Sequence, residues 1–180
     1  MTKIRTRVRG GGYTIRRNKT DYNSIVSEAA EVFRKDNELS EKAKEYQKNI
    51  ETLEGILEKI KNTNLTDDHK KELAAPVIDH LKNQQQDYDK NIATEQLMIQ
   101  EDIMGLIEEI DDSIAEYEQL ENSVKEDFED LIISDMPDTL DEIASKKEAF
   151  ENLKNEYQKK HWNSREQNSK IFERIHSKRY

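Results

Sequence analysis

From Leu97 to Ile133 the chain repeats apolar residues at alternating steps of three and four: Ile99, Ile103, Leu106 and Ile110, then Tyr117, Leu120 and Val124. Ser113 takes the one polar position in phase. Only an α-helix gathers such a series onto one stripe, because its 3.6 residues per turn fall between those two steps. Ile107, Ile114, Phe128, Leu131 and Ile132 widen the stripe beyond two residues in seven, so this helix is expected to pack on two neighbours at once. Ile110 lies at the centre of the buried seam. Glu109 and the acidic doublets Asp67-Asp68, Glu108-Glu109 and Asp111-Asp112 read as solvated helix faces, where a change of Glu109 to Lys would cost little.

Two further seams flank this one. In Ile25, Ala29, Val32, Leu39, Ala43, Tyr46, Ile50, Leu53, Leu57 and Ile60 the alternation persists with Asp36 as its polar interruption. That predicts a helix opening at Thr20 or Asp21 and running to about Lys61. Asn62 to Asp68 then reads as a stop and a restart, with Thr66 capping the next helix and Asp67 and Asp68 at its positive end. The turn is short enough to make the two helices antiparallel neighbours. Pro76 leaves open a separate turn or a kinked lead-in over Asp67–Ala75. From Lys82 to Lys90 only Tyr88 is apolar, so a bend, a bulge or an exposed stretch is expected there. Ser134 to Pro137 is the second stop. Leu140, Ile143, Phe150, Leu153, Tyr157, Ile171 and Ile175 form the third seam, whose middle, His161, Ser164 and Asn168, is polar. Its second half is expected to splay, fray or await a partner.

The fold class that follows is all-α: an elongated antiparallel helical bundle or coiled coil of three long helices in one domain, residues 20–180. A short basic arm, residues 1–19, precedes it. The composition agrees, with 33% hydrophobic and 38% charged residues and only 5 Gly and 2 Pro. The net charge of -10 conceals an asymmetry. Residues 1–20 carry Lys3, Arg5, Arg7, Arg9, Arg16, Arg17 and Lys19 and no acid, and removing those seven cations leaves -17 on the rest. Period-two alternation on either side of Gly10-Gly11-Gly12 allows a small hairpin in the arm, and a flexible tail is the other reading. No apolar run approaches a membrane span or a signal peptide's core, so synthesis as a soluble cytoplasmic protein is expected, with signal-less export left open.

Enzymatic chemistry is not expected, and neither a cofactor nor a metal is called for. The chain has no Cys, no phosphate-cradling Gly loop, no calcium loop and no His-Glu-x-x-His. Glu173-x-x-His176 has the spacing of a di-iron bundle ligand pair, but the second pair and the two further Glu residues are missing, so both read as surface residues near a helix end.

What remains is association. Trp162, the only Trp, stands where the third seam turns polar, and Trp is over-represented at interface hot spots. With His161, Ile171, Phe172 and Ile175 it forms the candidate partner-binding set. Tyr117-x-x-x-Glu121 resembles the Tyr-x-x-x-Asp or Glu tail signal of small bacterial type VII secretion cargo proteins, which are helical hairpins with a Trp-x-Gly turn. Trp162-Asn-Ser lacks that Gly and sits in a helical pattern. The resemblance implies secreted helical cargo or a partner protein of such a system as one alternative. The preferred reading is a non-enzymatic adaptor or assembly protein that binds protein partners, a second copy among them, through helical faces, with the arm docking electrostatically. The other alternative is nucleic-acid or anionic-surface binding through the arm, which the acidic remainder opposes.

Overall fold

A computed structural model describes the backbone of residues 5–9, 12–16, 21–128 and 136–180, and the side chains of 21–126 and 139–180. Strands β1 (Arg5–Arg9) and β2 (Gly12–Arg16) pair antiparallel, with Arg5 opposite Arg16 and Val8 opposite Tyr13. Helices follow as α1 (Tyr22–Lys61), α2 (Asp67–Tyr88), a π-helical turn (Asp89–Ala93), α3 (Thr94–Phe128) and α4 (Met136–Ile175). The all-α helical bundle of long helices read from the seams is the architecture observed. Leu131, Ile132 and the stop at Ser134 lie outside the described residues, as do Lys3, Arg17 and Lys19.

The helix ends obey local chemistry. The Asp21 carboxylate accepts from the Ser24 amide at 2.7 Å and opens α1. At its other end Thr63 Oγ1 and Lys70 Nζ donate to the Ile60 and Lys61 carbonyls. Thr66 caps α2 through the His69 amide at 3.3 Å. Pro76 does not end the helix: it occupies an exposed position within α2, where the one amide donor that it removes is replaceable by water.

α2 runs unbroken through Tyr88, so the break expected over Lys82–Lys90 falls only at the end of that stretch, in the π turn Asp89–Ala93, and its cause is a phase slip. The buried or half-buried series Val77, Leu81, Gln84 and Tyr88 calls next for a step of three, yet the following buried residue is Ile92, a step of four, after which Gln96, Ile99 and Ile103 resume the alternation. One extra residue must be absorbed, and a single π turn absorbs one. The Asp89 carbonyl accepts from both the amide and the hydroxyl of Thr94, so the widened turn keeps its hydrogen bonds.

The chain resolves into two compact units, Met1–Val32 with Glu101–Trp162 and Phe33–Gln100 with Asn163–Tyr180. In the first, Ile25 and Ala29 of α1, Ile103, Leu106, Ile110, Tyr117 and Val124 of α3, and Ile143, Phe150, Leu153 and Tyr157 of α4 are buried. The Phe150 ring meets Tyr22 edge-on at 5.3 Å and Tyr117 at 5.8 Å. Lys154 reaches Asp111 at 2.5 Å and Lys147 reaches Glu118 at 3.9 Å, a descending and ascending pair that fixes α3 antiparallel to α4 there.

In the second unit Ala43, Ile50, Leu81, Tyr88, Ile92, Ile171 and Ile175 form one core. Tyr88 is its hub, with Tyr46 at 6.0 Å and Phe172 at 6.2 Å between ring centroids. Burial pushes its hydroxyl up to about 12, with the charge of Asp89 adding to the shift. The second half of α4 therefore neither splays nor frays. Its seam looked incomplete because Ser164 and Asn168 are polar, but Gln100 Nε2 donates to Ser164 Oγ at 3.3 Å and Gln96 Nε2 to Asn168 Oδ1 at 3.1 Å. Amides four apart on one helix meet polar groups four apart on the other, a ladder that any slip of register would break.

Candidate functional site

The end of α4 is clasped rather than free. Gln85 Nε2 donates to the carbonyls of Ile175 and Lys178, both at 2.9 Å, which supplies partners to a helix C-terminus that lacks its own. Arg174 forks onto Glu54 at 3.0 and 3.4 Å, and the Tyr180 hydroxyl donates to Glu54 Oε1 at 2.5 Å. Burial alone would raise the Glu54 carboxyl, but the hydrogen bonds from Arg174 and Tyr180 outweigh it and hold the group below the usual carboxylate range. His176 Nε2 lies 2.6 Å from Asp89 Oδ1 and is half-buried, so its role is to tie α4 to the π turn. His176, expected as a surface residue near a helix end, stands just past the end of α4 and is held there by this contact.

The candidate partner-binding residues divide. Ile171 and Ile175 are buried in the second unit's core and are already engaged by Leu81, Tyr88 and Ile92. Phe172, 45% exposed, covers that core from outside with its ring 4.6 Å from His176. Trp162, 64% exposed, and half-buried His161 belong to the first unit. Trp162 thus falls in a different unit from the isoleucines, and only Trp162 and Phe172 of the set offer apolar surface. Tyr117, the first residue of the Tyr-x-x-x-Glu match, is buried against Phe150, and Glu121 is paired with Lys125 at 3.1 Å.

Around Trp162 the charges are mixed: Lys159, Lys160 and Arg165 are near it in sequence, Lys160 is paired with Glu156 at 3.1 Å, and Glu166, one helical turn on, is 3.6 Å from Lys170. An exposed indole in such a setting suits a protein face of mixed charge. Leu97 and Met98, exposed at 68% and 55%, are apolar positions of the second unit that the seam reading passed over. Their signal was present, since Leu97 and Met98 stand beside the buried positions Gln96 and Ile99 and have no place in the stripe.

Glu109 overturns its expected place. It is 4% exposed, and burial first, then the charges of Glu28 and Asp112, push its carboxyl up to about 7. The helix turns that carry Ile103, Leu106, Ile107 and Ile110 are covered on more sides than a single seam, so the neighbouring flank is covered too. The basis for expecting Glu109→Lys to cost little is gone. An ordinary Glu titrates near 4.5, so the folded state here prefers the protonated form. The stability linked to this proton is fully present below pH 4.5 and is lost as pH rises through about 7. Glu109→Gln, neutral throughout, should exceed the parent in urea denaturation at pH 8 by about 1–2 kcal/mol, and the gap should close near pH 4.

Among the described residues no group of three or more His, Asp or Glu is arranged to hold a metal ion, and no helix is long and apolar enough to cross a membrane. No family, no curated protein and no solved structure matches this chain, so its own geometry is the ground for any functional reading.

Proposed function

We propose that this chain is a non-enzymatic helical adaptor or assembly protein that binds protein partners, second copies of itself included, through exposed faces of its helices. The observation that carries the reading is Trp162: a lone indole, 64% exposed, on the continuous helix α4. Covering such a ring removes on the order of 150 Å² from water, roughly 3–4 kcal/mol of gross driving force, which the isolated chain forgoes. The basic arm adds long-range attraction for an acidic partner surface, and it acts on association rate more than on final affinity.

The register of the β1–β2 ribbon supports a second reading. As backbone positions, Arg5, Arg7, Arg9 and Arg16 alternate onto one side of it, an arrangement that suits a phosphate backbone or another anionic surface. The net -17 outside the arm weighs against it.

Affinity capture by the full chain and by Trp162→Ala, followed by mass spectrometry, separates these readings. The substitution should leave the thermal melt within about 1 °C, because the ring is exposed, and should lower recovery of specific protein partners at least tenfold. Equal recovery by the two chains would remove Trp162 as the anchor. Nucleic acid recovered by both at physiological salt would promote the arm.

A further inference from the structure

Between Ile50 and Leu81 no residue is buried, although the α1–α2 hairpin continues through that span. The reason lies within the second unit. The end of α4 is fastened at Glu54 and Gln85, so the hairpin beyond those residues is two helices thick. Leu53, Leu57, Ile60 and Val77 are only half-covered by the opposite helix, and Ile56, Leu65 and Leu73 are exposed at 40%, 42% and 50%. Two helices alone cannot shield a seam from water on both flanks.

The exposed residues share a side. At about 100° per residue, Ile56 stands roughly 160° around α1 from Glu54, and Leu73 roughly 120° around α2 from Gln85. Glu54 and Gln85 mark the side that α4 occupies, so Ile56 and Leu73 lie on the other flank of the seam, Ile56 just past the point where the end of α4 is fastened.

The charges of this span name its occupant. Residues 55–84 contain five acids and five lysines and so have no net charge, in a chain that carries -10. They are also polarised. Nearest the turn, residues 59–71 hold Lys59, Lys61, Lys70 and Lys71 against Asp67 and Asp68, a surplus of two cations. Farther from it, 55–58 with 72–84 hold Glu58, Glu72 and Asp79 against Lys82, a surplus of two anions. A two-fold axis through the level of Ile56 and Leu73 would set the cationic half of each copy beside the anionic half of the other and the exposed apolar residues against each other.

We infer that the projecting α1–α2 hairpin is a self-association surface on which a second copy of this chain docks antiparallel, completing a four-helix bundle centred on Ile56 and Leu73. The inference rests on the reading of the chain as an association protein and specifies one surface and its occupant. The span offers about as many residues as one side of a small stable interface, only part of which face the partner, so the dimer belongs in the micromolar range.

Sedimentation velocity on the full chain from roughly 1 to 200 µM brackets such an affinity. The parent should pass from monomer to dimer. Ile56→Glu with Leu73→Glu should weaken the dimer by about 50-fold or more, and circular dichroism melts at low concentration should be unchanged because both positions are exposed. Lys59→Glu with Lys71→Glu, both at exposed positions, should also weaken it, by putting like charges together. Adding Glu72→Lys and Asp79→Lys to that variant should restore the dimer, a rescue that only self-complementary pairing provides. A parent that stays monomeric, a dimer indifferent to the Glu substitutions, or a charge reversal that is not rescued would each overturn the inference. If the parent is monomeric while Trp162-dependent capture persists, the broader reading stands and this surface alone is withdrawn.

Discussion

Replacing Ile110 by Asp should lower stability by about 3–5 kcal/mol, enough to bring a domain of ordinary stability close to unfolding at ambient temperature. Ile110 is fully buried, so the substitution removes an apolar side chain from the first unit's core and asks the same space to hold a carboxylate. The neighbourhood is already unfavourable to negative charge, since Glu109 beside it is pushed up to about 7. The new carboxyl will take a proton at neutral pH, which softens the cost without abolishing it. Glu108→Lys, two residues away on an exposed position, should change stability by about 0.5 kcal/mol or less. Urea titrations of the two variants at pH 7 check the ranking, and the opposite order would mean that the phase assigned to α3 is wrong.

Removal of one residue from α3 should have a still larger effect. Deleting Asp112 turns every residue on one side of the gap by about 100° relative to the other, so Ile103, Leu106 and Ile110 cannot face the first unit's core while Tyr117, Leu120 and Val124 do. The loss should equal or exceed the whole stability, on the order of 5 kcal/mol or more, and the protein should lack a cooperative melt. Deleting Lys90 is the contrasting case. It is exposed, it lies in the π turn, and its removal converts the steps Tyr88, Ile92, Gln96 to the three and four that an uninterrupted α-helix requires. The Thr94 amide would then bond Asp89 as an ordinary helical pair. Melting by circular dichroism should show a cost below about 2 kcal/mol for this deletion. If both deletions are equally damaging, the π turn is doing more than absorbing a slip.

The parts of the fold legible in the sequence are those governed by residues near one another in the chain. Asp21 and Thr66 act within one helical turn, and the seams of α1 and α3 are periodic over many turns, so the phase of Ile25, Ile50 and Ile110 could be read directly. The end of α4 was misread because its partners are remote: Gln85 for the carbonyl of Ile175 and Glu54 for Arg174. Polar residues in a seam look like gaps until the opposite helix is known, as Asn168 does without Gln96. Glu109 was misplaced for the complementary reason, because periodicity gives the direction of one seam and not how far two neighbours wrap around it. Of the candidate site, Trp162 is exposed on α4, while Ile171 and Ile175 serve the core.

The second unit's core joins residues made early to residues made late. Ala43 and Ile50 leave the ribosome first, then Leu81, Tyr88 and Ile92, and the stripe they form stays uncovered until synthesis has passed Ile175. At about 5–20 residues per second that interval is several seconds, long compared with the microseconds in which helices form. The nascent hairpin must therefore wait, through those seconds, with the flank of its seam that α4 will cover still open to water.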